Sequence, residues 1–491
     1  MNQKGGNVRK LSFSKMFFIA SVFCAATTIA ASSQTLTTLV NFNGTDGDWP
    51  TPGVPLVQAT DGNLYGVTYY GGTPTSCRYS SGTDCGTFFK ITPAGELTTL
   101  YSFCSQSNCA DGQDPVSLLQ APNGNFYGVT FLGGANRGPE GYGFGTIFEM
   151  TPSGVLTTLY TFCSQTACSD GEEPQALVVG VNGNLYGTTA LGGAYNNGTV
   201  FEINAAGKLT TLYSFCAKTG CPDGGFPGAL MQASDGNLYG STQFGGAHNG
   251  GVIFEITPAG KFATLYSFVH GLPNAMIEGG DGNLYGTTGA AGTAYHGTVF
   301  KLTLQGDLTV IHNFCEQGCA TGDSPLAGLV QGSDGNFYGT TYEAGNTYYA
   351  GSVFGVAPTG AFATLYLFCS QTNCSDGDGA GALMQATNGT FYGTTVGGGT
   401  GSGGTVYSLS TGLGPFVAAR PNFGTAGQVI TILGNNLTGA TSVTFNGTSA
   451  KFKVVSDTYI EAAVPAGASA GMIEVTTPSG TVSSNVAFLG K

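Results

Sequence analysis

The chain has 491 residues, 82 of them glycine, with only 9% charged and a formal net charge of −13. An acidic balance on so lightly charged a chain disfavours phosphate-backbone partners, which excludes nucleic acid as a ligand class. The glycine content suits short strands and tight turns rather than helices.

In chain order, Lys4, Arg9, Lys10 and Lys15 precede an apolar run from Met16 to Ala31 that ends in small residues. This pattern predicts a secretory signal peptide over residues 1–33. No later segment reaches the roughly eighteen apolar residues of a helical membrane span. Phe23 before Cys24 replaces the small residue that lipid attachment requires. The mature chain is therefore expected to be exported without a membrane span, to the medium, the cell surface or the periplasm. Twelve cysteines follow Cys24, an even number that in an exported protein predicts disulfides.

From Leu36 the sequence repeats, and four short blocks recur seven times in fixed order. "LTTLYSF" or a variant begins at Leu36, Leu97, Leu156, Leu209, Phe262, Leu308 and Phe362. A short apolar run such as "ALMQA" comes next, then "DGNLYGTT", then "GTVFEIT". Each block is rich in aromatic and β-branched residues and is bounded by Gly, Asn, Asp or Pro, the pattern of strands joined by turns. The "DGN" and "PAG" links supply the positive-φ positions of tight hairpins. Four strands repeated seven times predict an all-β fold, a seven-bladed β-propeller over residues 34–411. The first "LTTL" block lacks a preceding "GTVFEIT", and the last such block, at 404–410, lacks a following "LTTL". The N-terminal strand is therefore expected to complete the last blade. The connections after "LTTLYSF" and the Gly-rich connections before "GTVFEIT" should share one face, and the "DGN" and "PAG" turns the other.

The order "DGNLYGTT…GG…GTVFEITPAG…LTTLYSF" resembles the bacterial exported tandem-repeat family called Gloeo/Verruco or GloVer repeats, across Leu36 to Ser410. The resemblance implies export with a variable C-terminal module, and no activity. Past Thr411 the composition changes, and residues 412–491 alternate apolar and polar residues between turn signals, as a small β-sandwich does. Gly427, Gly434, Asn436, Leu437, Phe445, Asn446, Gly447, Val464, Pro465, Gly471 and Pro478 resemble the IPT/TIG immunoglobulin-like domain. That likeness implies a spacer or binding module.

The cysteines fall in pairs: Cys104/Cys109, Cys163/Cys168, Cys216/Cys221, Cys315/Cys319 and Cys369/Cys374 after the "LTTLYSF" block, and Cys77/Cys85 in the first Gly-rich loop. A structural zinc site needs four ligands where each loop offers two, and redox catalysis rarely needs six copies. Local disulfides are the reading, each worth roughly 2 kcal/mol in the chain-entropy model. Asp111, Asp170, Asp223 and Asp376 behind the second cysteine read as turn caps rather than calcium ligands. No cofactor or metal is expected. Of four histidines, His248 and His296 lie in neighbouring Gly-rich loops and are the candidates for acid/base chemistry.

The Gly-rich loops carry Tyr69, Tyr70, Phe131, Tyr142, Tyr195, Phe244, Tyr295, Tyr342, Tyr348 and Tyr349. These are the candidate binding residues for a sugar ring or a surface protein, set against mutual packing of the loops. The sequence thus points to non-catalytic recognition or adhesion through a disulfide-rigidified face. Its alternatives are a propeller lyase or hydrolase with its site at the channel mouth, and a structural surface-layer component. It assigns no ligand, anchor or oligomeric state.

Overall fold

A computed structural model describes residues 34–490 except 74–84, 140, 317, 318, 320, 321 and 345–349. The expected signal peptide, Cys77, Tyr348 and Tyr349 lie outside the described residues. Among the described residues no helix is long and apolar enough to cross a membrane.

The repeats form seven antiparallel sheets, five of them running through four strands in chain order. The third sheet is representative: Glu172–Val179, Leu185–Leu191, Thr199–Ile203 and Leu209–Ser214. In the first sheet the opening strand is split into Asp48–Pro50 and Val57–Gln58. The seventh sheet takes its fourth strand from the other end of the chain, with Thr35–Asn41 paired to Thr405–Ser410. The two orphan blocks of the sequence are therefore partners.

The block motifs have a packing cause. The third-strand aromatics Phe89, Phe148, Phe201, Phe254, Phe300, Phe354 and Tyr407 are fully buried. Each ring lies over the glycine of the neighbouring "LYG". A Cβ on Gly187 would meet Phe201 Cζ at 2.3 Å, and one on Gly240 would meet Phe254 Cζ at 2.3 Å. The phenylalanine that ends each "SF" crosses to the next sheet. Phe103 meets Phe148 at 5.2 Å, Phe162 meets Phe201 at 5.3 Å, and Phe42, behind the N-terminal strand, meets Phe89 at 5.3 Å. Such edge-to-face pairs contribute about 0.5–1.5 kcal/mol each beyond area burial. The seventh sheet also lies against the first through Ala382 N donating to Pro52 O at 2.7 Å.

The C-terminal module is two small sheets, Ala418–Arg420, Val429–Leu433, Tyr459–Ala463 and Lys451–Val454 against Thr448–Ser449, Ser442–Phe445, Ile473–Thr477 and Gly480–Ser483. Ile430, Ile432, Phe445, Ile460, Val475 and Phe488 fill the space between them. It docks on the turn face of the repeats: Asn435 Nδ2 donates to Thr387 Oγ1 at 2.9 Å and Arg420 Nη1 to Gln58 O at 2.8 Å.

Candidate functional site

The face away from the module carries the cysteine loops. Five predicted pairs, Cys104–Cys109, Cys163–Cys168, Cys216–Cys221, Cys315–Cys319 and Cys369–Cys374, are bonded. Cys85 is fully buried. Four of the bridged loops, those of Cys109, Cys168, Cys221 and Cys374, are tied down twice. In the Cys168 loop the aspartate is inside: Asp170 Oδ2 accepts from Tyr160 Oη at 2.8 Å and from the Ser164 N–H at 2.9 Å, while Oδ1 accepts from the Gln165 N–H at 3.2 Å. Asp111, Asp223 and Asp376 take the corresponding tyrosine hydroxyls at 2.7, 2.8 and 2.9 Å. These carboxylates are caps, since each Oδ2 is engaged by the loop and the outer strand. The carbonyl of the second cysteine then accepts from the Gly-rich loop of the next sheet, as Cys168 O does from Gly193 N at 2.9 Å and Cys109 O from Gly134 N at 2.8 Å. The staples therefore hold both sets of loops. In the first copy, which lacks cysteines, Asn43 and Asp46 close the turn through side-chain bonds instead.

Behind these loops sits a feature that no block motif announces. Trp49, Asp114, Glu173, Phe226, Leu272, Ser324 and Gly379 occupy one equivalent position at the entry to the first strand of each sheet. All have positive φ, between 51° and 62°. Five donate their N–H to the preceding sheet: Trp49 to Gly403 O, Asp114 to Cys85 O, Glu173 to Phe144 O, Phe226 to Asn197 O and Ser324 to His296 O, at 2.9 to 3.1 Å. Left-handed backbone at a non-glycine residue is costly and persists only where its surroundings impose it. Here the backbone is held constant while the side chain varies from Trp to Ser. The readable signal is the residue before each proline in "DGQDP", "DGEEP" and "DGGFP".

One sector of this rim is aromatic and acidic. Trp49 is 38% exposed and lies edge-on to Tyr70 at 6.4 Å; Tyr70 meets Tyr69 at 4.8 Å. Burial, then the charges of Asp114, Tyr70 and Glu173, push the Tyr69 hydroxyl up. Asp114 is buried, and that burial raises its carboxyl to about 7 against one bond from Gln113 Nε2 at 3.3 Å. Burial and then Glu172 raise Glu173.

The predicted aromatics divide. Tyr69, Tyr70, Phe131 and Phe244 stand at the ends of second strands rather than in loops, because pairing runs up to the glycine pair. They are half-buried, as are Tyr142 and Tyr342, and Phe244 packs on Phe226 at 5.1 Å. Tyr195 and Tyr295 are exposed, at 50% and 62%. His296 Nδ1 pairs with Asp323 at 3.1 Å. Ligand atoms of His296, Cys315, Cys319 and Asp323 lie within 4.8 Å of one another, but the two sulfurs are bonded to each other. His270 lies against Tyr295 at 5.1 Å and His312 stacks on Phe362 at 3.8 Å.

The model of the Gloeobacter/Verrucomicrobia repeat matches residues 75–274 and 269–452. The chain belongs to this repeat family. An IPT/TIG domain matches residues 417–489, so the repeat family's matched span runs into the module. No curated protein matches the chain. Among solved structures, a fungal alcohol oxidase of the AA5 family, in complex with copper, is 13% identical with a TM-score of 0.51, over 90% of this chain and 97% of that one. This is a likeness of fold. An extracellular domain from B. thetaiotaomicron (12% identity, TM-score 0.48, 93% and 57% covered) and a gluconolactonase from Xanthomonas campestris (11%, 0.38, 77% and 89%) are more distant.

Proposed function

We propose that the seven sheets are the blades of a closed propeller, and that this is an exported, non-catalytic protein that binds a glycan at the disulfide-stapled face. The observation that carries the reading is the rim of left-handed residues. A fixed backbone presents variable side chains, and in one sector it sets Trp49, Tyr69 and Tyr70 beside Asp114 and Glu173. Aromatic faces stack on the apolar side of a sugar ring, and the half-buried Glu173 carboxyl accepts its hydroxyls, so this pairing suits a neutral glycan. The five bridges and the module fit an extracellular setting.

The test is a screen of the purified chain against neutral oligosaccharides and cell-wall fractions, with Trp49→Ala and Tyr70→Ala beside the parent. Binding by the parent that both substitutions weaken supports the reading. A parent that binds no fraction, or binding that both variants retain, overturns it. The second reading is a propeller lyase or hydrolase, favoured by two carboxyls raised by burial, Asp114 and Glu173, at one mouth. It predicts turnover of a glycoside or ester that Glu173→Gln abolishes.

A further inference from the structure

The opposite face, under the module, holds a second site. At the end of the first strand, Gln58, Gln120, Gln232, Gln331 and Gln385, and Glu278 in the fifth sheet, accept from a backbone N–H in the turn of the preceding sheet, at 2.8 to 3.0 Å. The third sheet has Val179 at this position. The clasp between the second and third sheets is thus replaced by an apolar side chain, and a cavity of about 700 Å³ opens there. Leu119, Leu177 and Val179 form one wall, Phe423 and Leu433 of the module the other, and Arg420 lines it too.

Arg420 is the unusual member. Its Nη1 donates to Gln58 O at 2.8 Å. No carboxylate lies within ion-pair distance of it among the described residues, where His296–Asp323 and Lys301–Asp281 are the ion pairs. Burial draws its guanidinium down to about 10, which leaves it charged at neutral pH. Glu149 also lines the cavity, but its Oε1 already accepts from Asn125 Nδ2 at 2.7 Å and Tyr127 Oη at 2.8 Å. A half-buried guanidinium without a counterion gains from a partner of opposite charge. A planar guanidinium matches a carboxylate in two parallel bonds.

We infer that this cavity binds a small amphiphile of the fatty-acid class, its carboxylate on Arg420 and its chain between the third sheet and the module. The volume lies within the range of about 300–1,000 Å³ typical of small-molecule sites. The inference concerns the face away from the proposed glycan site and stands or falls without it.

Calorimetric titration of the full mature chain with decanoate tests it, with 1-decanol as the uncharged probe. Saturable one-site binding is expected, weakened roughly tenfold or more by Arg420→Met and by loss of the carboxylate in decanol, the scale of one charged hydrogen-bonded contact. Val179→Gln restores the missing clasp from the far wall, leaves the Arg420 to Gln58 bond alone, and should abolish binding. No saturable heat with decanoate, or parent-like affinity in either Arg420→Met or Val179→Gln, overturns the assignment.

Discussion

Replacing Asp114 by asparagine tests the electrostatics of the rim directly. Asp114 is 4% exposed, holds a left-handed backbone at φ 57°, and receives one side-chain bond, from Gln113. Asparagine tolerates that backbone and has nearly the same shape. Burial raises the carboxyl from 3.8 to about 7. A shift of about three pH units corresponds to about 4 kcal/mol at most. Between pH 4 and 7 the folded chain keeps a proton that the unfolded chain has released, so stability falls as pH rises through that window. The penalty is absent below about pH 4 and complete above about pH 7. The substituted amide never ionises, so Asp114→Asn should match the parent at pH 4 and exceed it by about 2 to 4 kcal/mol at pH 8. Trp49 is the single tryptophan and lies on the same rim, so its fluorescence during urea unfolding at pH 4, 6 and 8 reads the effect where it arises. A difference that stays constant across the three pH values, or a variant less stable at pH 8, would refute the reasoning.

Three further outcomes follow from the packing. Gly187→Ala drives a Cβ to 2.3 Å from Phe201 Cζ, whereas Gly228→Ala meets nothing within 4 Å; the first should lower thermal stability by about 1–3 kcal/mol and the second by much less. Phe42→Ala should cost about 3–5 kcal/mol, as much as Phe162→Ala, because both rings cross to the next sheet at 5.3 Å; a small loss at Phe42 alone would mean that the N-terminal strand is an appendage. Cys163→Ser with Cys168→Ser should lose roughly 2 kcal/mol and speed amide exchange at Gly193, whose N–H bonds Cys168 O; unchanged exchange at Gly193 would separate the staple from the Gly-rich loop.

The repeat was legible because packing writes itself into every copy. The ring over each "LYG" glycine demands an aromatic in one block and no Cβ in another, so the pair recurs wherever a sheet forms. The cysteine loops were legible for the same reason, and their aspartates proved to be the caps that turn chemistry suggested. Site assignment was less complete. Tyr69 and Phe244 read as loop residues because strand ends are indistinct beside glycine pairs, and only pairing shows where the ladder stops. The expected approach of His248 to His296 gives way to another pairing: His296 turns to Asp323, which no repeat register announces.

Strand identity, strand order, the module and the staples follow from local patterns, because period-2 burial, turn glycines and short cysteine gaps are properties of a few consecutive residues. Tertiary structure alone decided which departures from the repeat matter. Trp49, Asp114 and Glu173 are merely residues before prolines until a shared left-handed backbone sets them on one rim. Val179 is an ordinary strand valine until the missing glutamine clasp and Arg420, far later in the chain, meet across one cavity. Such coincidences join residues distant in sequence, and no local pattern records them because only the packing of sheet on sheet and module on sheet brings them together.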